Sequence, residues 1–218
     1  MKITVTQYLD VISSWCFWAQ PAWHELQSRY RDRVSFQWKI ALMDEGGFPT
    51  SHAQMEWFYR RSGMMMRSPI MLKSEWYDVG QKEYLAPNAV AEGARALGVS
   101  DDRVCLALSR AGLLEGRKTG EWEVAAEVAA AASGLAKDEL LARARLPEIE
   151  ERLRQTTAEF HALQVSQRPT FVLDTEIGDR AVFSGFAKVE PMAATLDAML
   201  DDTVAYAAHA AHFGSPPA

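Results

Sequence analysis

The sequence predicts an α/β fold in which a strand–helix–strand unit and a strand–strand–helix unit are separated by an all-helical insertion. Three observations support this prediction. Strand-like alternation occurs only near the two ends of the chain, each end also carries a helical stretch, and the residues between them show helical periodicity with almost no strand signal. Because neither terminal unit can cover both faces of its strands alone, we expect both units to share one sheet, with the helical block packed over one end.

The N-terminal unit is predicted to be a strand, a helix and a second strand. Residues Ile3 to Val11 alternate and include β-branched side chains, which is typical of a strand. Ser13 or Ser14 would cap a helix from Trp15 to about Tyr30. The stretch "RVSFQWKIALM" alternates again and predicts the second strand, and the roughly 20 residues between the strands allow a parallel crossover.

The middle of the chain is predicted to be helical. Gly46, Gly47 and Pro49 end the strand pattern, and residues 44–165 are assigned to a helical insertion domain with five or six helices. Pro147 divides the last helical stretch and suits the first turn of a new helix.

The C-terminal unit completes the fold. Thr170 to Leu173 and Ala181 to Phe183 are short strands separated by a turn, which favours an antiparallel hairpin, and a helix from about Val189 to His212 follows. Residues 1–43 and 166–218 would therefore form one domain.

Composition excludes several classes of function. A hydrophobic content of 48% and a charged content of 24% are typical of a soluble globular protein. The net charge of -6 and the lack of a basic block argue against nucleic acid binding. The longest apolar stretches are too short and alanine-rich for a membrane span. The N-terminus is interpreted as a strand and not as a signal peptide, and two cysteines give no disulfide framework, so we expect a cytoplasmic protein.

Two motifs identify a candidate site. "DVISSWCFW" places Ser13, Ser14, Trp15 and Cys16 where the first strand gives way to the first helix. "QRPTFVL" places Pro169 at the start of a strand, a position that suits a residue without an N–H group.

With the order of elements, these motifs resemble the DsbA-like thioredoxin-fold superfamily, in which a helical domain interrupts a thioredoxin fold (βαβ…ββα). The resemblance covers most of the chain and is strongest to the cytoplasmic branch of FrnE-like oxidoreductases, 2-hydroxychromene-2-carboxylate isomerases and kappa-class glutathione transferases. In such proteins a Cys-Pro-Trp-Cys motif occupies the positions of Ser13 to Cys16. A serine at the first position is similar to the isomerase and transferase branch, where it hydrogen-bonds the glutathione thiolate.

The second motif resembles the cis-proline loop of that superfamily, with Pro169 in the cis form. The resemblance implies that backbone groups of Arg168 and Thr170 fix a ligand. Arg168 departs from the small or apolar residue expected before the proline.

A third stretch is more similar to the oxidoreductase branch of the superfamily. "SGFAKVEPM" from Ser184 to Met192 lacks the Asp-Arg pair that the kappa and isomerase branch often uses to hold glutathione, and it is more similar to the oxidoreductases.

Three functions therefore stay open. The first is an enzyme that holds a small thiol, with glutathione as the candidate cofactor, at Ser13 and isomerises or conjugates a small apolar compound. The second is a FrnE-like thiol-disulfide oxidoreductase that works through Cys16 alone. The third is a binding protein on a catalytically dead fold. The resemblance also leaves a homodimer open, because similar proteins are often dimers, and no metal is expected.

Physical chemistry supports the first interpretation. Unpaired N–H groups and the helix dipole at a helix start stabilise a thiolate, and a serine hydroxyl can donate a hydrogen bond to it. Ser14, Trp15 and Trp18 would lie beside that thiolate. We expect Cys105 to be structural, and Cys16 to be either inert or functional. A candidate pocket under the helical block would be lined by aromatic and methionine side chains: Trp15, Trp18, Trp57, Phe58, Tyr59, Trp76, Tyr77, Met64, Met65 and Met66. Core packing between the two subdomains is the alternative explanation for this cluster.

Overall fold

The computed structural model describes residues 2–185 and 188–214, which fold into one four-stranded sheet surrounded by eight helices. The strands are β1 Ile3–Leu9, β2 Val34–Ile40, β3 Thr170–Thr175 and β4 Arg180–Ser184. The helices are α1 Ser14–Tyr30, α2 His52–Met65, α3 Leu85–Ala96, α4 Arg103–Leu113, α5 Trp122–Ser133, α6 Lys137–Ala144, α7 Pro147–Ala162 and α8 Glu190–Phe213. Within these ranges, no helix is both long enough and apolar enough to cross a bilayer.

The sheet joins the two ends of the chain, as the sequence predicts. Its order is β2-β1-β3-β4, with β1 parallel to β2 and antiparallel to β3. The β3–β4 pair is the predicted antiparallel hairpin. Because Tyr8 near the end of β1 lies opposite Thr170 at the start of β3, the two sequence motifs are brought to the same edge of the sheet.

One face of the sheet is covered by α1 and α8. Alternate residues of the strands, including Ile3 and Phe171, point to this face, as the period of two in a strand requires. Trp23 of α1 lies at its centre, with its ring 5.4 Å from that of Phe36 and 6.1 Å from that of Phe171.

The helical block packs against the carboxyl ends of β1 and β2. A second core combines Leu9, Trp38 and Ile40 from the strands with apolar side chains of α3 to α7. The expected packing of helices over one end of the sheet is therefore present, whereas the division into domains at residues 43 and 166 stays a prediction.

Strand β1 ends at Leu9, two residues before the predicted end. The backbone N–H of Val11 donates to the Oδ1 of Asn88 at 3.0 Å and the N–H of Ser13 donates to the carbonyl of Asp10 at 3.1 Å. A side chain and a local turn thus satisfy these backbone groups in place of a neighbouring strand, and the chain turns away from the sheet.

Asn88 connects the helical block to the chain that leaves the sheet, and we predict that its hydrogen bonds contribute strongly to stability. Its side chain is fully buried, accepts from Val11 and donates to the carbonyl of Tyr84 at 3.1 Å. The substitution Asn88→Ala removes the side-chain partner of the buried Val11 N–H and of the buried Tyr84 carbonyl. We therefore expect a loss of about 1–3 kcal/mol of unfolding free energy. Urea denaturation measures this loss, and the exposed control Ser28→Ala should change stability by less than about 0.5 kcal/mol. An Asn88→Ala effect as small as that of the control would contradict the assignment.

Candidate functional site

The start of α1 presents backbone N–H groups that have no acceptor among the described residues. Ser13 is the N-cap: its Oγ accepts from the N–H of Cys16 at 3.4 Å, and its carbonyl accepts from the N–H of Phe17 at 3.0 Å. Among the described residues, none accepts the N–H protons of Ser14 and Trp15, whereas the side chain of Ser13 also hydrogen-bonds the thiol of Cys16. These N–H groups and the Ser13 hydroxyl lie at the positive end of the helix dipole, where an anion is stabilised.

A cavity of about 180 Å³ adjoins these donors. Three segments line it: the start of α1, the loop after β2, and α2 together with the chain that follows it. Its lining residues are Ile12, Ser13, Ser14, Trp15, Met43, Gly47, Phe48, Pro49, Met55, Phe58, Tyr59, Arg61 and Trp76. The site thus combines a polar floor with largely aromatic walls.

Asp10 fixes two of these segments relative to each other. Its carboxylate accepts from the N–H of Ile12 at 3.0 Å and from the N–H of Met43 at 2.9 Å. Burial raises the pKa of the Asp10 carboxyl above its usual value, although the two backbone N–H groups act in the opposite direction. The buried carboxyl therefore holds opposite walls of the cavity together through backbone groups.

Cys16 does not face the cavity. Its side chain is 2% exposed, and burial raises the pKa of its thiol to about 12. The thiol is therefore protonated near neutral pH and is a poor nucleophile. Cys105 lies in the helical core, where burial also raises the pKa of its thiol, and both cysteines are free.

The loop before β3 lies beside the end of β1. The peptide bond between Arg168 and Pro169 is cis, and the carbonyl of Pro169 accepts from the N–H of Gly185 at 2.9 Å. The backbone N–H and carbonyl of Arg168 have no hydrogen-bond partner among the residues that the structure describes. Arg168, Pro169 and Thr170 are not among the residues that line the cavity, and the hydroxyl of Thr170 donates to the carbonyl of Gln167 at 2.7 Å.

The side chain of Arg168 explains why a long residue fits before the proline. Its Nε donates to the carbonyl of Ala41 at 2.6 Å, and its guanidinium also donates to the carbonyl of Leu42. The guanidinium lies 4.3 Å from the centre of the Phe160 ring. The side chain is thus directed into the protein, where it binds the chain after β2 to α7.

The aromatic residues of α2 divide between two faces of the helix. Phe58 and Tyr59 line the cavity, as does Trp76 from the following loop. The expectation that Trp57, Met64 and Met65 also line it is wrong, because these side chains are 55%, 77% and 67% exposed. The helical period places Trp57 and Met64, which are seven residues apart, on the same outward side of α2, and Met65 is the last residue of the helix.

Three further aromatic and methionine side chains also lie elsewhere. The indole N–H of Trp18 donates to the Oγ of Ser62 at 3.1 Å on another side of α1, and Tyr77 is buried with its hydroxyl on the carbonyl of Pro49. Met66 lies outside the cavity.

Arg61 is a residue of the cavity that the sequence interpretation missed. It is the only charged residue in the lining of the described cavity, and its guanidinium lies 5.1 Å and 5.0 Å from the ring centres of Trp57 and Phe58. The signal was present, because residues three and four positions apart on a helix are neighbours. Within residues 2–185 and 188–214, no group of three or more His, Cys, Asp or Glu side chains could hold a metal ion.

A model of the DSBA-like thioredoxin domain matches residues 4–197, which is most of the chain. The chain belongs to this family. Among curated proteins, no match to this DSBA-like protein was found.

Solved structures share the fold of this DSBA-like protein at low sequence identity. A candidate protein disulfide isomerase from Nitrosomonas europaea is 14% identical with a TM-score of 0.76, covering 93% of this chain and 99% of the other. The cytosolic disulfide reductase DsbM from Pseudomonas aeruginosa is 17% identical with a TM-score of 0.69, covering 91% and 98%, and DsbM was also solved with GSH. A 2-hydroxychromene-2-carboxylate isomerase is 13% identical with a TM-score of 0.64, covering 93% and 98%. At these identities the likeness establishes the fold alone.

The "SGFAKVEPM" stretch is only partly visible in this DSBA-like protein. Residues 186 and 187 lie outside the described residues. The contrast with the Asp-Arg pair of the isomerase branch therefore rests on the sequence.

The burial of both cysteines predicts that neither reacts in the folded protein. A thiol reagent such as dithionitrobenzoate should modify no cysteine under native conditions, because both thiols are buried and protonated. In urea it should modify both, which provides the internal control. Rapid labelling of one thiol in the native protein, abolished by Cys16→Ala, would contradict the buried position of Cys16.

The raised pKa of Asp10 predicts a pH-dependent stability difference. Between the unfolded and folded pKa values the folded protein binds more protons, so the contribution of Asp10 to stability is lost as pH rises through this window. The unfolding free energy of the wild type minus that of Asp10→Asn should therefore fall as pH rises above the ordinary pKa of an aspartate, about 4. Urea denaturation of both proteins at each pH measures the difference. A difference that is constant or rises with pH would show that the folded protein does not raise this pKa.

Proposed function

We propose that this DSBA-like protein is an enzyme that binds a small thiol, with glutathione as the candidate, and isomerises or conjugates a small apolar compound. One observation carries the proposal. Ser13 lines the cavity together with Ser14 and Trp15, whose N–H groups have no acceptor among the described residues, whereas the thiol of Cys16 is buried. The site is therefore suited to a sulfur that a ligand brings and not to a sulfur of the chain.

The start of α1 would ionise the bound thiol. A thiolate beside Ser13 would accept a charge-assisted hydrogen bond from the hydroxyl and further bonds from the N–H groups of Ser14 and Trp15. The helix dipole adds to this stabilisation. These interactions favour the charged form and lower the pKa of the bound thiol, so that more of it is nucleophilic near neutral pH.

The proposed chemistry needs no redox partner. The thiolate adds to an electron-poor carbon–carbon double bond, a sulfur–carbon bond forms, and the electron pair of the double bond moves to the neighbouring carbon. In isomerisation the bond then rotates, the electron pair returns, and the thiolate leaves unchanged. In conjugation the proton that the thiol released to water on ionising is returned from water to the neighbouring carbon, and the sulfur stays attached.

The size of the cavity indicates that only part of the bound compounds would be enclosed. Its volume of about 180 Å³ is below the range of about 300–1,000 Å³ that encloses a drug-sized ligand. The thiol group and one flat ring would occupy the cavity, whose lining includes Trp15 and Phe58, and the remainder of the thiol compound would extend outside. The free backbone N–H and carbonyl of Arg168 are suited to bind that remainder.

The buried cysteines also favour this proposal over the oxidoreductase alternative. A disulfide exchange through Cys16 would need an exposed thiolate, and its thiol is 2% exposed with a pKa of about 12. Two free thiols are typical of a reducing compartment, so we also propose a cytoplasmic location. The cytosolic DsbM, solved with GSH, is consistent with both proposals.

Calorimetric titration with glutathione and with S-methylglutathione tests the proposal. Ser13→Ala removes the hydrogen bond to the thiolate and should weaken glutathione binding about 10- to 100-fold. It should weaken S-methylglutathione binding much less, because that compound cannot form a thiolate. Ser13→Thr keeps a hydroxyl and should retain most of the binding, and the exposed control Ser28→Ala should change neither titration.

The results would separate the three functions. Thiolate absorbance that develops on binding, together with thiol-dependent turnover that survives Cys16→Ala, supports the proposal. Reduction of insulin disulfides that is lost in Cys16→Ala would establish the oxidoreductase. Glutathione binding that Ser13→Ala leaves unchanged would overturn the assignment of the site, and thiol binding without any turnover would leave a binding protein.

A further inference from the structure

A second and larger groove lies on another side of α1. It has a volume of about 640 Å³ and runs between α1, the chain after α2, and α4; we call it the α1–α4 groove. It shares no lining residue with the Ser13 cavity. Its walls are mainly apolar, with Phe17 and Pro21 from α1, Ile70 after α2 and Leu106 from α4. The volume is within the range that encloses a small organic ligand.

The charge of the α1–α4 groove is positive. Arg67 and Arg110 both line it, and neither side chain makes an ion pair or hydrogen bond with a described residue. His24 also lines it and is paired with Asp102 at 3.0 Å. No Asp or Glu is among the described lining residues. In a chain with a net charge of -6, two unpaired guanidinium groups beside an apolar surface indicate an anionic ligand.

A buried amide in the groove also has unused hydrogen-bonding capacity. Gln20 lines the α1–α4 groove and is 7% exposed, and its Oε1 has no partner among the described residues. Buried polar atoms are nearly always paired in folded proteins. An amide oxygen accepts hydrogen bonds and does not donate them, so this atom does not bind the acid group of an anion, which only Arg67 and Arg110 would contact.

We propose that the α1–α4 groove binds a small amphipathic anion, namely an aryl or alkyl carboxylate. Arg67 and Arg110 bind the acid group, and the apolar part packs against Phe17, Pro21 and Leu106. Arginine suits this role, because its guanidinium forms paired hydrogen bonds with a carboxylate. The site is separate from the Ser13 cavity and does not depend on the proposed thiol chemistry.

The fluorescent probe anilinonaphthalene sulfonate, an aryl anion, tests this site in the full chain. We expect saturable binding that dodecanoate displaces. Arg67→Gln and Arg110→Gln should each weaken binding about three- to tenfold, whereas Arg110→Lys, which keeps the charge, should lose less. The uncharged analogue phenylnaphthylamine measures the apolar contribution alone, and its affinity should be nearly equal in all these proteins.

Two control variants locate the probe. Arg31→Gln, at an exposed arginine outside the groove, and Arg61→Gln, at the Ser13 cavity, should both leave probe binding unchanged. A loss in Arg61→Gln without a loss in Arg67→Gln and Arg110→Gln would overturn the proposal and place the anion in the Ser13 cavity. Binding that is not saturable, or that none of the arginine variants alters, would also overturn it. Circular dichroism checks that each variant is folded.

Discussion

The hydrogen bonds of the Asp10 carboxylate are the constraint on which the candidate site depends. The chain leaves the sheet after Leu9 inside the protein, so every backbone group of that turn needs a partner. Asp10 supplies an acceptor for the N–H groups of Ile12 and Met43, and Asn88 supplies one for Val11. The hydroxyl of Ser109 donates to the carbonyl of Val11. The side chain of Asp10 and those of two distant residues, Asn88 and Ser109, thus fix the backbone that presents Ser13.

The start of α1 has features that stabilise a thiolate, but the chain places no exposed thiol there. The start of α1 keeps the unpaired donors and the dipole that stabilise a thiolate. The chain has Ser13 at that point, and its nearest cysteine, Cys16, lies one turn further along, where the core excludes water. A helix start that stabilises a thiolate, in a chain with no exposed thiol at that point, is suited to a ligand that brings its own thiol.

The helical insertion completes the site from the opposite side. Its helix α2 provides Phe58, Tyr59 and Arg61, so the cavity exists only where the insertion meets the sheet. The same helix α1 also contributes Phe17 and Pro21 to the α1–α4 groove. One helix therefore forms a wall of two separate cavities, a small aromatic cavity at its start and a larger groove lined by two arginines along its side.

The sequence by itself determined the elements and their order, because local periodicity, caps and turn residues specify helices and strands. It also indicated Ser13, Ser14 and Trp15, since their place at a strand-to-helix junction is a local property. One sheet shared by both terminal units followed from the need to bury strands that neither unit could cover alone, whereas the pairing of β1 with β3 comes from the structure.

Only the tertiary structure decided which side chains face the cavity. Trp57 and Phe58 are neighbours in sequence, yet one is exposed and the other lines the site. The early end of β1 and the inward direction of the Arg168 side chain depend on Asn88 and on the carbonyls of Ala41 and Leu42. These partners are distant in the chain, and no local pattern encodes a contact between residues that meet only after folding.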